Sequence, residues 1–466
     1  MKKFMVIALT VLLLLPLNHS EKAGDSSPVL PSKEDVIGFL FSLQKRIDGM
    51  HFFQDANVVQ ELVIATGNVA YAGGGADPLR DSMEMLYEAR HMAYNESALD
   101  DFVASLNFTD EESMAIALLM FSYASALTGK SRAQQLEGVY SLFSFVRKTA
   151  PVLMNASVNE TATDPYGIII FGGPGNGVYN GNHTFIIDFG GDDVYMERSN
   201  SFVLDISGND TYRNQTGISG ITPVFDLSGS DTYHDFPSSA AGTTTLLDLT
   251  GNDSYLGRVG TSYELGITAM IDMEGNDLYA GGDYTQCYAQ GGTSILLDVQ
   301  GDDIYNASTH SQGCSVGGFA LLIDCYGDDS FIAGDCSQAY AKGFPKRGMA
   351  VLVNGAGDDF YQAGDFSQGY GEQSGIAVLF DFMGEDSYTA RHFSQASSSL
   401  LGMAALIDSD GGNTFDASSF SQGYQKLGLQ ALFLNQFDFQ ETYEILDFLD
   451  TLNVDVREIV LYLLQS

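Results

Sequence analysis

Through the middle of the chain, runs of apolar residues end on an aspartate, copy after copy. The residue just before that acid, or before the one asparagine in its place, is apolar in ten successive copies: Ile187, Leu204, Phe225, Leu247, Ile271, Leu297, Ile323, Val353, Phe380 and Ile407. So is the residue before it: Ile186, Val203, Val224, Leu246, Met270, Leu296, Leu322, Leu352, Leu379 and Leu406. Neighbours in a strand point to opposite faces, and a strand with one wet face alternates. This pattern therefore predicts a strand buried on both faces. Two residues before the second series the position is small, Thr or Ser early and then Ala320, Ala350, Ala377 and Ala404. Small plus aliphatic suits a close-packed helix. The expectation is that the N-terminal helices, with the C-terminal one, lie along one face of this strand; a symmetric partner chain is the alternative cover.

The acid opens a repeat, D-x-x-G-x-D-x-aromatic. It runs from Asp188–Gly191–Asp193–Tyr195 to Asp408–Gly411–Asn413–Phe415, after a degenerate copy without acids at Gly175–Gly177–Tyr179. Successive motif glycines are 16 or 17 residues apart at first, then 21 to 24, then 26 to 30. A constant motif at variable spacing marks one fixed corner with sides of variable length. Later copies add a second fixed point seven residues past the aromatic: Gln286, Gln312, Gln338, Gln368, Gln395 and Gln422. Six Gln in one register predict a stacked amide ladder pointing into the body. Blades of a β-propeller need about 40 residues or more, so the reading is a parallel β-solenoid of about ten coils rising ~4.8 Å each, with the aromatics stacked inside.

Helical patterns flank this body. Ser32 precedes Val36, Phe39, Leu40, Leu43 and Ile47 at helical spacing. Asp77-Pro78 starts a helix that leads through Met83 to Tyr94, and Thr109 with Glu112 makes a capping box before Met114–Leu127, stopped at Gly129. Arg132–Lys148 and Glu441–Leu464 are amphipathic. The organisation expected is α+β: a signal peptide over 1–23, a helical domain over 30–155, the solenoid over 166–435, and a C-terminal helical cap over 438–466.

Charge and composition narrow the setting. The chain has 466 residues with 60 acids against 21 bases, net −39. That acidity argues against nucleic acid or an anionic membrane as partner and favours cations or basic partners. Lys2 and Lys3 followed by the apolar run Phe4–Leu17 read as an export signal, too short to span a bilayer easily. An exported chain with Cys287, Cys314, Cys325 and Cys336 has thiols for two disulfides, but the repeat register sets them at mismatched positions. Sequons at Asn95, Asn107, Asn155, Asn159, Asn182 and Asn306 permit glycosylation.

The acid columns carry the main chemistry. If coils stack, equivalent carboxylates lie about 5 Å apart and repel by roughly 1 kcal/mol even at water's dielectric. Carboxylates with glycine-turn carbonyls are the hard oxygen ligands of Ca2+. The candidate ligands are Asp188, Asp205, Asp226, Asp248, Asp272, Asp298, Asp324, Asp381 and Asp408 in one column, and Asp193, Asp210, Asp231, Asp253, Asp277, Asp303, Asp329, Asp359 and Asp386 in the other. The alternative is an Asx corner, with Asp side chains accepting backbone N–H bonds. The G-x-D-x-aromatic core, clearest at Gly190–Gly191–Asp193–Tyr195, resembles the calcium-binding repeat of RTX proteins. That resemblance implies calcium loops on a parallel β-roll. It covers the corner alone, since the motif here comes once per coil and adds an Asp before the Gly.

A varied column three residues before the Gln ladder (Asp283, Thr309, Asp335, Asp365, His392 and Ser419, beside His310 and Arg391) is either a solvated edge or a saccharide groove. Glu88 with His91 resembles half of a di-iron helix site, without its other half. No G-x-S-x-G, H-E-x-x-H or phosphate loop occurs. The expectation is an exported extracellular or cell-surface calcium-stabilised solenoid with a structural or ligand-binding role, toward glycan or protein. A carbohydrate-active β-helix enzyme and a protein-interaction module, including a homodimer, are the alternatives.

Overall fold

The computed structural model describes residues 77–130, 132–156, 158–196, 200–213, 216–217, 220–343, 348–408, 411–428 and 430–435. The expected signal segment, the helix after Ser32 and the C-terminal cap lie outside the described residues.

Four helices precede the body. α1 (Pro78–Ala89) starts where the sequence indicates: the Asp77 carboxylate accepts the Arg80 N–H at 3.1 Å, and Pro78 sits in the first turn. It ends sooner than Tyr94, because His91 takes a left-handed backbone, φ 54°. α2 (Glu96–Ser105), capped by Asn95, was not signalled by the pattern. α3 (Asp110–Thr128) carries the reciprocal capping box: Glu112 N–H donates to Thr109 Oγ1 at 3.2 Å and Thr109 N–H to Glu112 Oε2 at 2.7 Å. α4 spans Arg132–Leu153.

The body is a parallel β-solenoid with three sheets, of 13, 11 and 9 strands. The first sheet holds the aliphatic strands, such as Phe319–Asp324; the second holds the motif aromatics, such as Ser330–Ile332; the third follows the Gln, as in Tyr340–Lys342. The third sheet starts only at Thr216–Gly217. The earliest repeats, 16 or 17 residues long, have no length for a third strand. Nine strands on that side make eight full turns, fewer than the ten coils expected.

Pairing is in register from motif to motif. Ile323 pairs with Leu297 and Val353, and Asp324 with Asp298. Inside, the series from Ile186 to Leu406 packs against one continuous column of rings from Tyr179 to Phe415. Successive ring centroids in that column are 4.4–5.0 Å apart. The series from Ile187 to Ile407 faces outward and joins the helix core instead. Both faces of the strand are therefore buried, as the doubled apolar pattern requires. Phe102 and Phe108 pack on Phe171, Tyr123 on Phe202 and Phe143 on Phe225, and the Tyr123 hydroxyl donates to Ile221 O at 3.1 Å. The small residues play another part than expected. They face inward, where Ala350 and Ala377 meet Ala341 of the third sheet, so what they admit closely is a strand and not a helix.

The Gln ladder forms the corner between the second and third sheets. Gln286, Gln312, Gln338, Gln368 and Gln395 are buried, each with a left-handed backbone at φ 50–53°. Gln338 Nε2 donates to Gln312 Oε1 at 3.1 Å, to Phe331 O at 2.7 Å and to Gln362 O at 3.1 Å. The same amide-to-amide step joins Gln312 to Gln286, Gln368 to Gln338 and Gln422 to Gln395. Gln422, on the last coil, is exposed.

These two settings predict different costs. Gln338→Ala strands buried carbonyls and should lower stability by about 2–3 kcal/mol. Gln422→Ala at the wet end should cost well under ~1 kcal/mol. Thermal or chemical denaturation of the two variants checks the difference; equal losses would mean the ladder is not held as described.

Candidate metal centre

The corner between the first and second sheets collects the acids. The first Asp of each motif is the last residue of a first-sheet strand, and the second Asp immediately precedes the strand of the aromatic. Pairing stacks like on like: Asp188 with Asp205, Asp205 with Asp226, Asp272 with Asp298 and Asp298 with Asp324. All eighteen candidate carboxylates are at most 2% exposed. The motif glycine is demanded by space. A Cβ on Gly229 would fall 2.0 Å from Gly208 O, and one on Gly251 2.2 Å from Gly229 O.

Each acid has one oxygen held by the fold. The first Asp accepts, through Oδ2, the phenol of the preceding coil: Tyr212 to Asp226 at 2.6 Å, Tyr279 to Asp298 at 2.6 Å, Tyr305 to Asp324 at 2.7 Å and Tyr361 to Asp381 at 2.7 Å. Tyr179, Tyr195, Tyr233 and Tyr255 make the same bond to Asp188, Asp205, Asp248 and Asp272. The second Asp accepts, through Oδ1, the backbone N–H of the preceding second Asp. These bonds measure 2.5 Å for Asp210 on Asp231, 2.6 Å for Asp253 on Asp277 and 2.9 Å for Asp359 on Asp386. The second column is thus an Asx ladder, as the alternative reading required.

The other oxygen of most acids is left over. Oδ1 of Asp205, Asp248, Asp272, Asp298, Asp324 and Asp381 is buried without a donor among the described residues. So is Oδ2 of Asp193, Asp210, Asp231, Asp253, Asp277, Asp303, Asp329, Asp359 and Asp386. Carboxylate oxygens of the two columns also come close together. Asp188, Asp193 and Asp205 offer carboxylate oxygens within 4.8 Å of one another, and so do Asp205–Asp210–Asp226, Asp226–Asp231–Asp248, Asp248–Asp253–Asp272 and Asp272–Asp277–Asp298.

Burial, reinforced by neighbouring carboxylates, pushes these groups up. Asp188 and Asp298 rise to about 7 and Asp210 and Asp253 to about 8. The phenols also lie well above their ordinary value through burial and the adjoining carboxylates, which keeps them hydrogen-bond donors.

The phenol of Tyr388 departs from the pattern: it donates at 2.9 Å to Asp381 Oδ2 of its own motif and not to Asp408. Two further coils differ in residue type. Phe331 lacks the hydroxyl that would serve the next first-column position, and that position is Asn354, a neutral residue that pairs with Asp381. A buried carboxylate there would have no phenol. At the last coil Asn413 replaces the second Asp. Its Oδ1 accepts the Asp386 N–H at 2.7 Å, and its Nδ2 donates to Asp408 Oδ1 at 2.5 Å. Here a donor lies between the two columns. In the coils that carry both acids two acceptors are close together, and a proton or a cation must take the donor's place. Carboxylate oxygens alone, close together and screened from water, are a donor set that fits a hard cation such as Ca2+.

The remaining candidates carry less. Asp283, Asp335 and Asp365 each accept the backbone N–H of the next coil's equivalent through Oδ1, and Arg391 bridges Asp335 and Asp365. Beside them Phe366, Phe393 and Phe420 stack at 5.2 and 5.0 Å. Their faces meet each other along the axis and are not offered flat to a sugar. Glu88 belongs to α1 while His91 lies past its end, so the i, i+3 helical pairing does not form. All four cysteines are free thiols. Among the described residues no helix is long and apolar enough to cross a membrane. No family model, curated protein or solved structure matches the chain.

Two tests follow. Asn354→Asp places a buried carboxylate opposite Phe331 and should cost about 3 kcal/mol or more in chelator. Adding Phe331→Tyr should recover most of that loss; a double variant no better than the single would refute the phenol–acid coupling. The second test is pH. Acids whose folded pKa lies above the unfolded ~3.9 bind more protons when folded, so stability falls as pH rises from about 4 through 8. In chelator the melting midpoint should drop across that window, and a midpoint that rises would contradict the carboxyl environment described.

Proposed function

We propose that this protein is an exported, calcium-stabilised β-solenoid that serves as a structural or ligand-binding rod at the cell surface or outside the cell. The observation that carries the calcium reading is the closeness of carboxylates from the two acid columns, most with one buried oxygen lacking a donor, against the Asn413 coil, where an amide N–H is donated to Asp408. Most coils supply two acids, so one divalent cation per coil would balance the charge. The phenols and backbone amides hold one oxygen of most acids in place, which leaves the other available to a cation. Export is supported by the basic start and short apolar run at the N-terminus. A scaffold role is supported by the edge columns, whose acids serve the next coil's amides and Arg391. A polysaccharide-cleaving pair would need two free carboxylates across an open groove.

Metal titration tests this reading. Ca2+ bound only to the folded chain should stabilise it by about 2.7 kcal/mol for each site at a hundredfold excess over its Kd, and so raise the melting midpoint. Terbium in the same sites should emit when tyrosine is excited, because the phenols touch the ligating acids, and added Ca2+ should quench that emission. A midpoint indifferent to chelator at low salt, together with dark terbium, would leave protonated Asx ladders in place of a metal row.

A further inference from the structure

The described helices cover the outer face of the first sheet at its early end. Their ring contacts with that face run from Phe171 to Phe225. The face continues beyond Phe225, and it stays apolar. Its middle column reads Ala269, Ile295, Leu321, Val351, Val378 and Ala405, all at most 5% exposed, with Val351 and Leu321 at 0%. On either side stand Ile271, Leu297, Ile323, Val353, Phe380 and Ile407, and Ile267, Met349, Ile376 and Met403, each at most 7% exposed. Neighbours within a sheet cannot by themselves shut out water from a face that nothing overlies. A stripe of this size also exceeds the few hundred Å² that soluble chains usually leave open.

We propose that this stripe is the docking surface of the chain's own C-terminal segment, Glu441–Leu464, bound as an amphipathic helix that runs back from the last coil toward α4. Continuity of the chain supports it. Gln430–Asn435 is the last strand of the first sheet. The five residues that follow before Glu441 can span up to about 17 Å, enough to turn from a strand end onto the same sheet's outer face. Length supports it too. The 24 residues from Glu441 to Leu464 make a helix of about 36 Å. The rows from Leu247 to Leu434 number eight, and seven steps of about 4.8 Å give roughly 34 Å. Pattern agrees with length. Ile445, Phe448, Leu449, Leu452, Val456, Ile459 and Leu463 recur at three and four residues, an apolar stripe along the segment, with Leu446, Val454 and Leu461 off it. The acids Glu444, Asp447, Asp450 and Glu458 fall off that stripe, Asp455 borders it, and Glu441 meets it only at the segment's first residue, so most of the charge stays in water. The stretch before Asp77 joins the molecule at the opposite end, beside coils that the helices already occupy.

The register places Leu452 about 17 Å along the helix, near the row of Val351. The test is a paired substitution in the full chain, Val351→Cys with Leu452→Cys, in a Cys336→Ser background, since the other three native thiols are buried. A short bismaleimide should join the pair within one chain, giving monomer with altered mobility and a cross-linked peptide identified by mass spectrometry. Cross-links found only between chains would overturn the proposal in favour of a second copy. No cross-link in a folded chain would overturn it in favour of another cover, such as the stretch before Asp77. Should the pair fail to fold, the chain ending at Asn435 decides. Loss of the segment should expose the stripe, seen as hydrophobic-dye binding and self-association absent from the full chain. A truncated chain that stays monomeric and binds no more dye would equally overturn it.

Discussion

The constraint on which the structure depends is electrostatic. Carboxylates are stacked one coil apart in a corner from which water is excluded, and each coil adds two more. Repulsion of about 1 kcal/mol per neighbouring pair at water's dielectric grows several-fold in a partly buried setting. Such a corner forms only if every acid has a donor, a proton or a cation.

The repeat motif is organised around that need. From Tyr179 to Tyr361, wherever a phenol is present, it reaches the first acid of the next coil, so the ring stack is at once the core of the solenoid and the support of the acid column. The second acid caps the backbone N–H below it, which ties the carboxylates to the coil spacing. The glycine between them leaves the space in which successive corners nest; a side chain there would collide with the carbonyl of the coil before. The exceptions obey the same rule. Where the hydroxyl is missing at Phe331 the acid is missing at Asn354, and where the second column ends at Asn413 an amide supplies the donor that the other coils lack.

The first sheet joins the two hydrophobic cores. One set of its side chains meets the ring stack, and the other meets the helices over the first coils. The helices thus share a hydrophobic core with the first coils of the solenoid. The third sheet arises only as the repeats lengthen. Its corner uses left-handed backbone at the Gln positions, a conformation costing non-glycine residues roughly 1–2 kcal/mol each, offset by three hydrogen bonds to a buried amide.

Much of this was legible in the residues themselves. Periodicity of two with both faces apolar, a fixed D-x-x-G-x-D-x-aromatic corner and a Gln in register identify a parallel solenoid with inward rings and amides, because each is a local rule repeated at every coil. The helix starts at Asp77 and Thr109 were equally local, since a cap is made within four residues. What tertiary structure alone decided is partnership between coils. The link from Tyr305 to Asp324 spans 19 residues and that from Asp359 N–H to Asp386 spans 27, and no local pattern shows which oxygen each donor takes. The inward turn of the small residues, the outward stripe toward α3 and α4, and the meeting of two acceptors between the acid columns follow from how the coil closes. Closure is set by the stacking of whole turns, a property that no single repeat contains.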